Sequence, residues 1–183
     1  MNNLILKCFK NEGSECDLEK CDYFQLQLLG DHSKTNNEHM CTLVSKESLD
    51  QILAFKWYLG KGGYPVAYGS DNDAGVNMGR GVKMHQLLKN VEGQVIDHIN
   101  RNKLDNRLDN LRICSQRENS YNTSRRDNKY KGVTKLKNTW VASITKDGHK
   151  YIIRDIASEQ EAAKIYDMMA EDLFGEYAGK NYM

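Results

Sequence analysis

The first half of the chain shows two segments typical of strands, and a segment with helical spacing separates them. Alternating apolar and polar residues predict a strand within residues 22–29, and a short apolar stretch between turns predicts another at 64–68. Apolar positions at helical spacing predict a short amphipathic helix that begins at one of two serines within residues 45–57. Turn-forming Gly, Asn, Asp and Ser dominate residues 60–82, and an ordered element is expected to follow at 83–88.

The pattern of residues 94–122 predicts a strand, a long turn, a second strand and a helix, in that order. Val95 opens a β-prone run, and asparagine and aspartate then supply the turn. Leu111–Cys114 alternates as a half-buried strand does. Ser115 and Glu118 form a capping box, so the helix is expected to begin at Gln116.

The last third of the chain predicts three strands and one helix. Alternation marks residues 130–134, 139–145 and 149–153, and turn residues, including an Asp-Gly pair, separate them. A second capping box, Ser158 to Glu161, opens a helix with a continuous apolar stripe. The fold class predicted for the whole chain is therefore α+β, and its C-terminal part is a three-stranded antiparallel sheet packed on one helix.

Charge is unevenly distributed along the 183 residues, although the formal net charge is only +1. Residues 1–75 carry 7 basic and 11 acidic side chains, residues 76–157 carry 17 and 8, and residues 158–183 carry 2 and 6. A basic centre between acidic flanks is typical of a surface that binds a polyanion, although a solvated charged face would give the same pattern.

Several classes of protein are excluded by the sequence pattern. No apolar run approaches the roughly 18 residues of a membrane span, and the first residues lack the layout of a signal peptide. We therefore expect an intracellular, cytoplasmic protein without a membrane partner. The five cysteines are odd in number and form no C-x-x-C pair, which favours reduced thiols over disulfides or a zinc site.

Residues 97–119 contain the groups that phosphodiester hydrolysis requires, namely a base that activates water and ligands for a cation. Asp97 offers a hard oxygen suited to Mg²⁺, with Mn²⁺ as an alternative. His98 leaves the strand on its other side and is a candidate general base. Asn119, on the predicted helix, is a second candidate metal ligand, and Asn110 is placed to tie the turn and orient the histidine.

The segment from Val95 to Asn119 resembles the HNH homing endonucleases of phages and mobile introns. The resemblance implies a ββα-metal (His-Me finger) nuclease with Asp97 and Asn119 as metal ligands and His98 as the general base. Asn110 matches the middle Asn of the motif, which is mainly structural. Arg101 departs from the pattern, because many members have Gly there. His85 matches a position that often precedes the motif, and we expect it to support the site.

Residues 129–182 resemble the apetala-two/ERF type of DNA-binding domain. The matching stretches are Tyr130-Lys-Gly-Val, Trp140-Val-Ala-Ser-Ile, Glu161-Ala-Ala-Lys-Ile-Tyr-Asp and Leu173-Phe-Gly-Glu-Tyr-Ala. The resemblance implies a sheet that lies in the major groove of double-stranded DNA. Plant members place several Arg and Trp on that sheet, whereas this chain carries mostly lysine, which lacks the bidentate recognition of guanine. We therefore expect DNA binding with weak base discrimination and a steep dependence on salt.

These observations predict three parts: an N-terminal extension of unknown role (1–40), an HNH nuclease domain (41–128, core motif 94–122) and an apetala-two/ERF-like domain (129–183). The function expected is that of a metal-dependent homing or nicking endonuclease that acts as a monomer. An alternative is a DNA-binding regulator with an inactive nuclease unit, and RNA binding would leave the nuclease residues unexplained. The residues expected to contact DNA are Lys131, Lys135, Lys137, Lys146, Lys150, Arg112, Arg125 and Arg126.

Overall fold

A computed structural model describes residues 6–8, 22–29, 40–68, 81–91, 94–124 and 129–182. They form two compact units, of which the first contains the described residues up to His98 together with Asn102–Ile113. The second contains Ile99–Arg101 and the described residues from Cys114 onward. The division therefore falls inside the motif, and the domain limits predicted from the sequence remain predictions.

The elements follow one another as a mixed α+β chain, as the sequence predicts. In chain order they are β1 (Leu6–Cys8), β2 (Tyr23–Gln27), β3 (Cys41–Ser45), α1 (Leu49–Ile52), β4 (Tyr58–Leu59), β5 (Pro65–Ala67), β6 (Val82–Lys83), α2 (Met84–Lys89), β7 (Val95–His98), β8 (Asp105–Asn106), β9 (Leu111–Cys114), α3 (Gln116–Tyr121), β10 (Val133–Leu136), β11 (Thr139–Lys146), β12 (His149–Ile156) and α4 (Glu159–Phe174).

A four-stranded sheet joins the beginning of the chain to the turn of the motif. Its strand order is β1-β2-β3-β8, in which the first three strands are antiparallel and β8 lies parallel to β3. The strand predicted within residues 22–29 is confirmed as β2. Because β8 lies between β7 and β9 in the sequence, the N-terminal sheet directly supports the turn that carries the candidate active residues.

The core of the first unit forms where the apolar faces of these strands meet α1 and α2. Phe24 and Leu26 on β2 are buried at alternate positions, as expected for a strand with one face in the core. The helix predicted within residues 45–57 is shorter than expected. Only a 3-10 turn (Lys46–Ser48) and α1 form, because the indole of the buried Trp57 donates a 2.8 Å hydrogen bond to the Ile52 carbonyl where the helix ends.

The second unit contains the three-stranded antiparallel sheet β10-β11-β12 packed against α4, so the prediction for this region is confirmed. Ala142 and Ile144 on β11 pack against buried residues of α4, among them Tyr166. Ser158 accepts a hydrogen bond from the Glu161 backbone, which caps the start of α4, and Gly175 ends it.

The helix α3 begins where the sequence predicts. The Ser115 side chain accepts from the backbone N–H of Glu118, and the Glu118 carboxylate accepts from the backbone N–H of Ser115 at 2.7 Å. This reciprocal capping box satisfies two backbone donors that a helix otherwise leaves unpaired. It fixes the first turn of α3, which carries Asn119.

Candidate active site

The buried side chain of His98 lies at the end of β7 and is held by Asn106, on β8. The Nε2 atom of His98 lies 3.2 Å from the Oδ1 atom of Asn106. The orientation of the amide follows from its other partners, since Asn106 Nδ2 donates to Thr42 Oγ1 at 2.9 Å and to the Lys103 carbonyl at 3.2 Å. Oδ1 can only accept, so His98 Nε2 carries the proton and Nδ1 carries the lone pair.

The surroundings of His98 favour its neutral form. Burial lowers the pKa of His98 below its ordinary value of 6.5, because the imidazolium loses hydration. The hydrogen bond to Asn106 and the charges of Asp97 and Asp105 oppose this effect only in part. A neutral imidazole with a lone pair on Nδ1 is the form that a general base requires.

Asp97, adjacent to His98 on β7, is buried and forms an ion pair with Arg112 of β9. Its Oδ2 atom accepts from Arg112 Nε at 2.9 Å and from Arg112 Nη2 at 2.6 Å. The side chain of Arg112 is only 11% exposed, so its guanidinium is directed to Asp97, although the sequence analysis predicts contact with DNA. The ion pair links the two strands of the sheet β7-β9 at the position of the candidate metal ligand.

Asn110 ties the turn of the motif, whereas Asn106 orients the histidine. The Nδ2 atom of Asn110 donates to the Asp105 carbonyl at 2.7 Å. The carboxylate of Asp105 in turn accepts two hydrogen bonds from Arg107, both of 2.7 Å, which raises the pKa of Arg107. The role of Asn106 is not predictable from the sequence, because Asp105 and Asn106 are also typical turn residues and only the pairing of β8 with β3 reveals it.

His85, on α2, lies edge-on against His98 with the ring centroids 5.0 Å apart. The ring of Tyr64 lies 5.0 Å from His85 and 6.0 Å from His98. Burial, with smaller contributions from His98 and Lys83, lowers the pKa of His85 to about 3. Its Nδ1 atom is buried and makes no hydrogen bond within the part of the chain that the structure describes. These contacts place His85 next to the candidate base.

Asp97 fits a divalent cation, because Mg²⁺ binds proteins through one or two carboxylate oxygens and keeps several waters. No cluster of three or more His, Cys, Asp or Glu side chains occurs among the described residues. The ligands predicted from the motif are one aspartate and one asparagine, and such a pair does not form a cluster of this kind. Asn119 lies half-buried on α3 of the second unit, and its role as a metal ligand remains a prediction from the motif.

The lysines predicted to contact DNA do not share one face of the C-terminal sheet. Directly paired residues point to the same side, and neighbours along a strand alternate. Lys135 and Lys146 therefore share the α4 side with Ala142, and Lys146 donates to the Leu173 carbonyl at 2.5 Å. Lys150 lies on the opposite side, where it pairs with Thr145.

Lys131 and Lys137 also differ in their availability to a phosphate. Lys131 donates to the Tyr121 carbonyl at 2.7 Å, and burial lowers the pKa of its ammonium group to about 8. Lys137 is exposed at the turn between β10 and β11. Arg125 and Arg126, which complete the predicted set, lie outside the described residues.

Within the described residues, the remaining cysteines and histidines add no cluster to the site. Cys41 and Cys114 form no disulfide bond with a described residue, and Cys16 and Cys21 lie outside the described residues, as do the side chain of Cys8 and the residues His32 and His39. His149 is exposed and lies beside the Asp147 carbonyl at 3.2 Å. In the described part of the chain, no helix is long and apolar enough to cross a membrane.

A buried histidine, next to a carboxylate on a strand–turn–strand–helix segment, is the arrangement expected of a hydrolytic nuclease of the ββα type. Comparison with known proteins agrees with this class, because the sequence pattern of the family described as HNH endonuclease matches residues 90–121. The chain is also 40% identical, over 146 residues, to the "Uncharacterized HNH endonuclease L560" of Acanthamoeba polyphaga mimivirus. That match spans 75% of this chain and 73% of the relative.

The protein therefore belongs to the HNH endonuclease family, whose members are hydrolases of DNA phosphodiester bonds. A second relative, "Protein 3.8" of Escherichia phage T7, is 32% identical over 92 residues, which span 48% of this chain and 75% of the relative. No solved structure matches the chain.

Proposed function

We propose that the protein is a site-specific homing or nicking endonuclease of phage or mobile-element type that cleaves double-stranded DNA with His98 as the general base. The observation that carries the proposal is the hydrogen bond from His98 Nε2 to Asn106 Oδ1, which leaves the lone pair of a neutral imidazole on Nδ1. The viral and phage origins of the two relatives support a mobile-element setting inside an infected cell.

In this proposal His98 Nδ1 takes the proton from the water that attacks the phosphorus. Asp97 contributes a ligand to a divalent cation, Mg²⁺ or Mn²⁺, and Arg112 holds that carboxylate in place. When bound, the cation neutralises charge on the phosphate and the leaving oxygen. Asn110 keeps the turn closed, Asn119 is the second ligand that the motif predicts, and His85 supports the ring of His98 through their edge-on contact.

We further propose that residues 129–182 act as an apetala-two/ERF-type DNA-binding module that holds the substrate more than it discriminates between bases. The side of the sheet away from α4 carries Lys150 together with Thr145, Ser143 and Ile152. Alternation along β12 adds Arg154, the one arginine of the three strands, to this side. Lysine binds phosphates as a point charge, so affinity should depend steeply on salt. A flat plot of log affinity against log salt would contradict this role.

The decisive experiment measures cleavage of supercoiled plasmid and of phage genomic DNA with Mg²⁺. We expect wild-type protein to produce nicked or linear DNA, a chelator to abolish cleavage, and His98→Ala to lower the rate on the order of 10²–10⁴-fold. His149→Ala is the matched control, because this exposed histidine lies in the other unit. Cleavage that survives in His98→Ala would overturn the assignment of the base.

The same assay also decides between the endonuclease and the regulator. DNA that is bound but left uncut by wild-type protein, across several substrates and with both Mg²⁺ and Mn²⁺, would favour a regulator. Metal binding is checked separately by the shift in melting temperature that Mg²⁺ or Mn²⁺ produces in wild-type protein, which Asp97→Asn should reduce.

A further inference from the structure

Two lysines from distant parts of the sequence converge on one tyrosine in the first unit. The ammonium of Lys83, at the end of β6, lies over the ring of Tyr64 at 4.8 Å from its centroid. The ammonium of Lys103, in the turn of the motif, lies over the same ring at 4.7 Å. Because both distances are measured to one ring centroid, the two ammonium groups lie no more than about 9.5 Å apart.

Neighbouring contacts hold this cluster of Lys83, Lys103 and Tyr64 in place. Lys103 Nζ donates to the Gly62 carbonyl at 2.8 Å, which anchors the end of its flexible side chain. Tyr64 packs against His85 at 5.0 Å and His98 at 6.0 Å between ring centroids. The cluster is therefore adjacent to the candidate base, and the turn that carries His98's partner Asn106 also carries Lys103.

The charges of the cluster are not balanced by acidic groups. Within the described residues, neither Lys83 nor Lys103 forms an ion pair with a carboxylate. Both reach the buried histidines electrostatically, since Lys103 lowers the pKa of His98 and Lys83 lowers that of His85. Like charges beside one ring repel each other, and the face of a tyrosine ring offsets this repulsion only in part.

We propose that Lys83 and Lys103 together bind a backbone phosphate of the DNA substrate beside His98. An anion is the ligand that would remove the repulsion between the two ammonium groups, and phosphate is the anion that DNA supplies at this position. Lys103 is exposed and Lys83 is half-buried, so both are open to a ligand at the surface. The inference rests on the proposed function, because it takes DNA to be cleaved at His98.

The first test measures DNA binding in the His98→Ala background, where the substrate remains intact. Each lysine that neutralises a phosphate adds roughly 0.9 to the slope of log affinity against log salt. We expect K83Q/K103Q to lower the slope by about 0.9, because the two lysines share one phosphate, and K89Q to leave it unchanged. Lys89 is the matched control, because it lies on α2 of the same unit. An unchanged slope in the double variant, or an equal loss in K89Q, would overturn the proposal.

A second test locates the phosphate. Single neutral methylphosphonates are placed at successive positions around the cleavage site, and binding is compared between H98A and H98A/K83Q/K103Q. A methylphosphonate at one position near the cleaved bond should weaken binding by H98A. The same substitution should have little effect on the triple variant, since that variant lacks both lysines. Independent effects at every position would contradict the pairing. Wild-type protein that fails to cleave any DNA would overturn the proposed function, whereas altered slopes would still establish the phosphate site.

Substitutions of Tyr64 test whether its ring organises the two lysines. Tyr64→Phe keeps the ring under both ammonium groups and should bind DNA as H98A alone does, when measured in that background. Tyr64→Leu removes the ring and should lower affinity in the direction of the double lysine variant. Equal affinities for the Phe and Leu variants would show that the ring does not organise the lysines. Circular dichroism and melting temperature confirm that each variant is folded.

Discussion

At the scale of single residues, Asn106 decides which nitrogen of His98 carries a proton. Asn106 is fully buried, and its amide donates to Thr42 and to the Lys103 carbonyl while it accepts from His98. Thr42 Oγ1 donates to the Leu104 carbonyl at 2.8 Å. Donor and acceptor are therefore fixed at each hydroxyl and amide group of this hydrogen-bond network. The tautomer of the base follows from this directed network.

Replacing Asn106 with Asp should move the pH dependence of cleavage. Burial lowers the pKa of His98, so the acid limb of kcat/KM in wild-type protein should have its midpoint below 6.5. A carboxylate at position 106 would stabilise the imidazolium and shift that midpoint to higher pH. The pH profile is measured for wild type, Asn106→Asp and Asn102→Asp, which makes the same charge change in the same turn. Equal shifts of the acid-limb midpoint in the two variants would mean that the added charge acts at long range and not through the contact with His98.

His85 should make the protein sensitive to acid. Its pKa is about 3 in the folded state and near the ordinary 6.5 after unfolding, so the unfolded chain binds more protons between these values. The free energy of unfolding should therefore fall as pH decreases from 6.5 toward 3, by up to about 1.4 kcal/mol per pH unit from this residue. Urea unfolding from pH 4.5 to 7.5 measures the slope, which His85→Gln should reduce. An unaltered slope in this variant would place the effect elsewhere.

At the scale of elements, the C-terminal sheet approaches α4 so closely at one turn that only glycine fits. Gly132 has a φ of +70°, and a Cβ atom there would lie 2.1 Å from the Tyr166 ring and 2.6 Å from the Ser143 carbonyl oxygen. Gly148, in the turn between β11 and β12, has a similar φ of +80° but nothing within 4 Å of that position. The two glycines therefore separate backbone strain from steric overlap.

Gly132→Ala and Gly148→Ala form a matched pair of substitutions. Both place an L side chain at positive φ, which should destabilise each variant by about 1 kcal/mol. Gly132→Ala must also displace Tyr166, so its loss of unfolding free energy should exceed that of Gly148→Ala by about 2 kcal/mol or more. Chemical denaturation measures both. Similar losses would mean that α4 moves away from the sheet without penalty.

The parts of the fold that the sequence predicts are those with local signals. The capping box at Ser115 and the strand Leu111–Cys114 depend on neighbouring residues, and the structure has both as predicted. The burial does not alternate along this strand, since Ile113 is exposed and Cys114 is buried. The early end of α1 depends on Trp57, and the role of Asn106 depends on pairing with β3, so periodicity reveals neither. The Gly that the family resemblance implies at position 101 has a local reason, because Arg101 adopts a φ of +63°.

The candidate site divides in the same way. Asp97 and His98 are adjacent in the sequence, and their spacing to Asn110 is a local pattern. Arg112 holds Asp97, and Asn106 holds His98. The sequence predicts DNA contact for Arg112 and a turn position for Asn106, because the contacts of both residues form only after the strands pair. The lysine cluster on Tyr64 joins residues 39 positions apart, from 64 to 103, and no spacing rule predicts it.

At the scale of the whole molecule, the motif is shared between two compact units. His98 and Asp97 lie in the first, and α3 with Asn119 lies in the second. Within the second unit, Tyr121 of α3 stacks on Phe174 with 4.0 Å between ring centroids, Arg117 forms an ion pair with Asp147, and Lys131 donates to the Tyr121 carbonyl. The C-terminal module therefore fixes the helix that carries the third motif residue.

Phe174→Ala should weaken the attachment of α3. Loss of the stacked ring should lower the free energy of unfolding on the order of 2 kcal/mol, because Phe174 is only half-buried. If Asn119 binds the cation, the Mg²⁺ concentration for half-maximal cleavage should rise, whereas the pH dependence due to His98 should stay the same. Met168→Ala is the control, since Met168 is 68% exposed on the same helix. An unchanged Mg²⁺ requirement in Phe174→Ala would separate α3 from metal binding.

The parallel pairing of β8 with β3 bears on how such nucleases are engineered. Grafting residues 94–122 onto another scaffold would transfer His98 and Asn106 but leave behind Thr42, whose hydroxyl orients the amide. It would also leave behind Ser45, whose side chain accepts from the Leu108 backbone at 2.8 Å. A portable version of this motif has to include residues 41–45, a segment that precedes it by about fifty positions and that the family pattern at 90–121 does not contain.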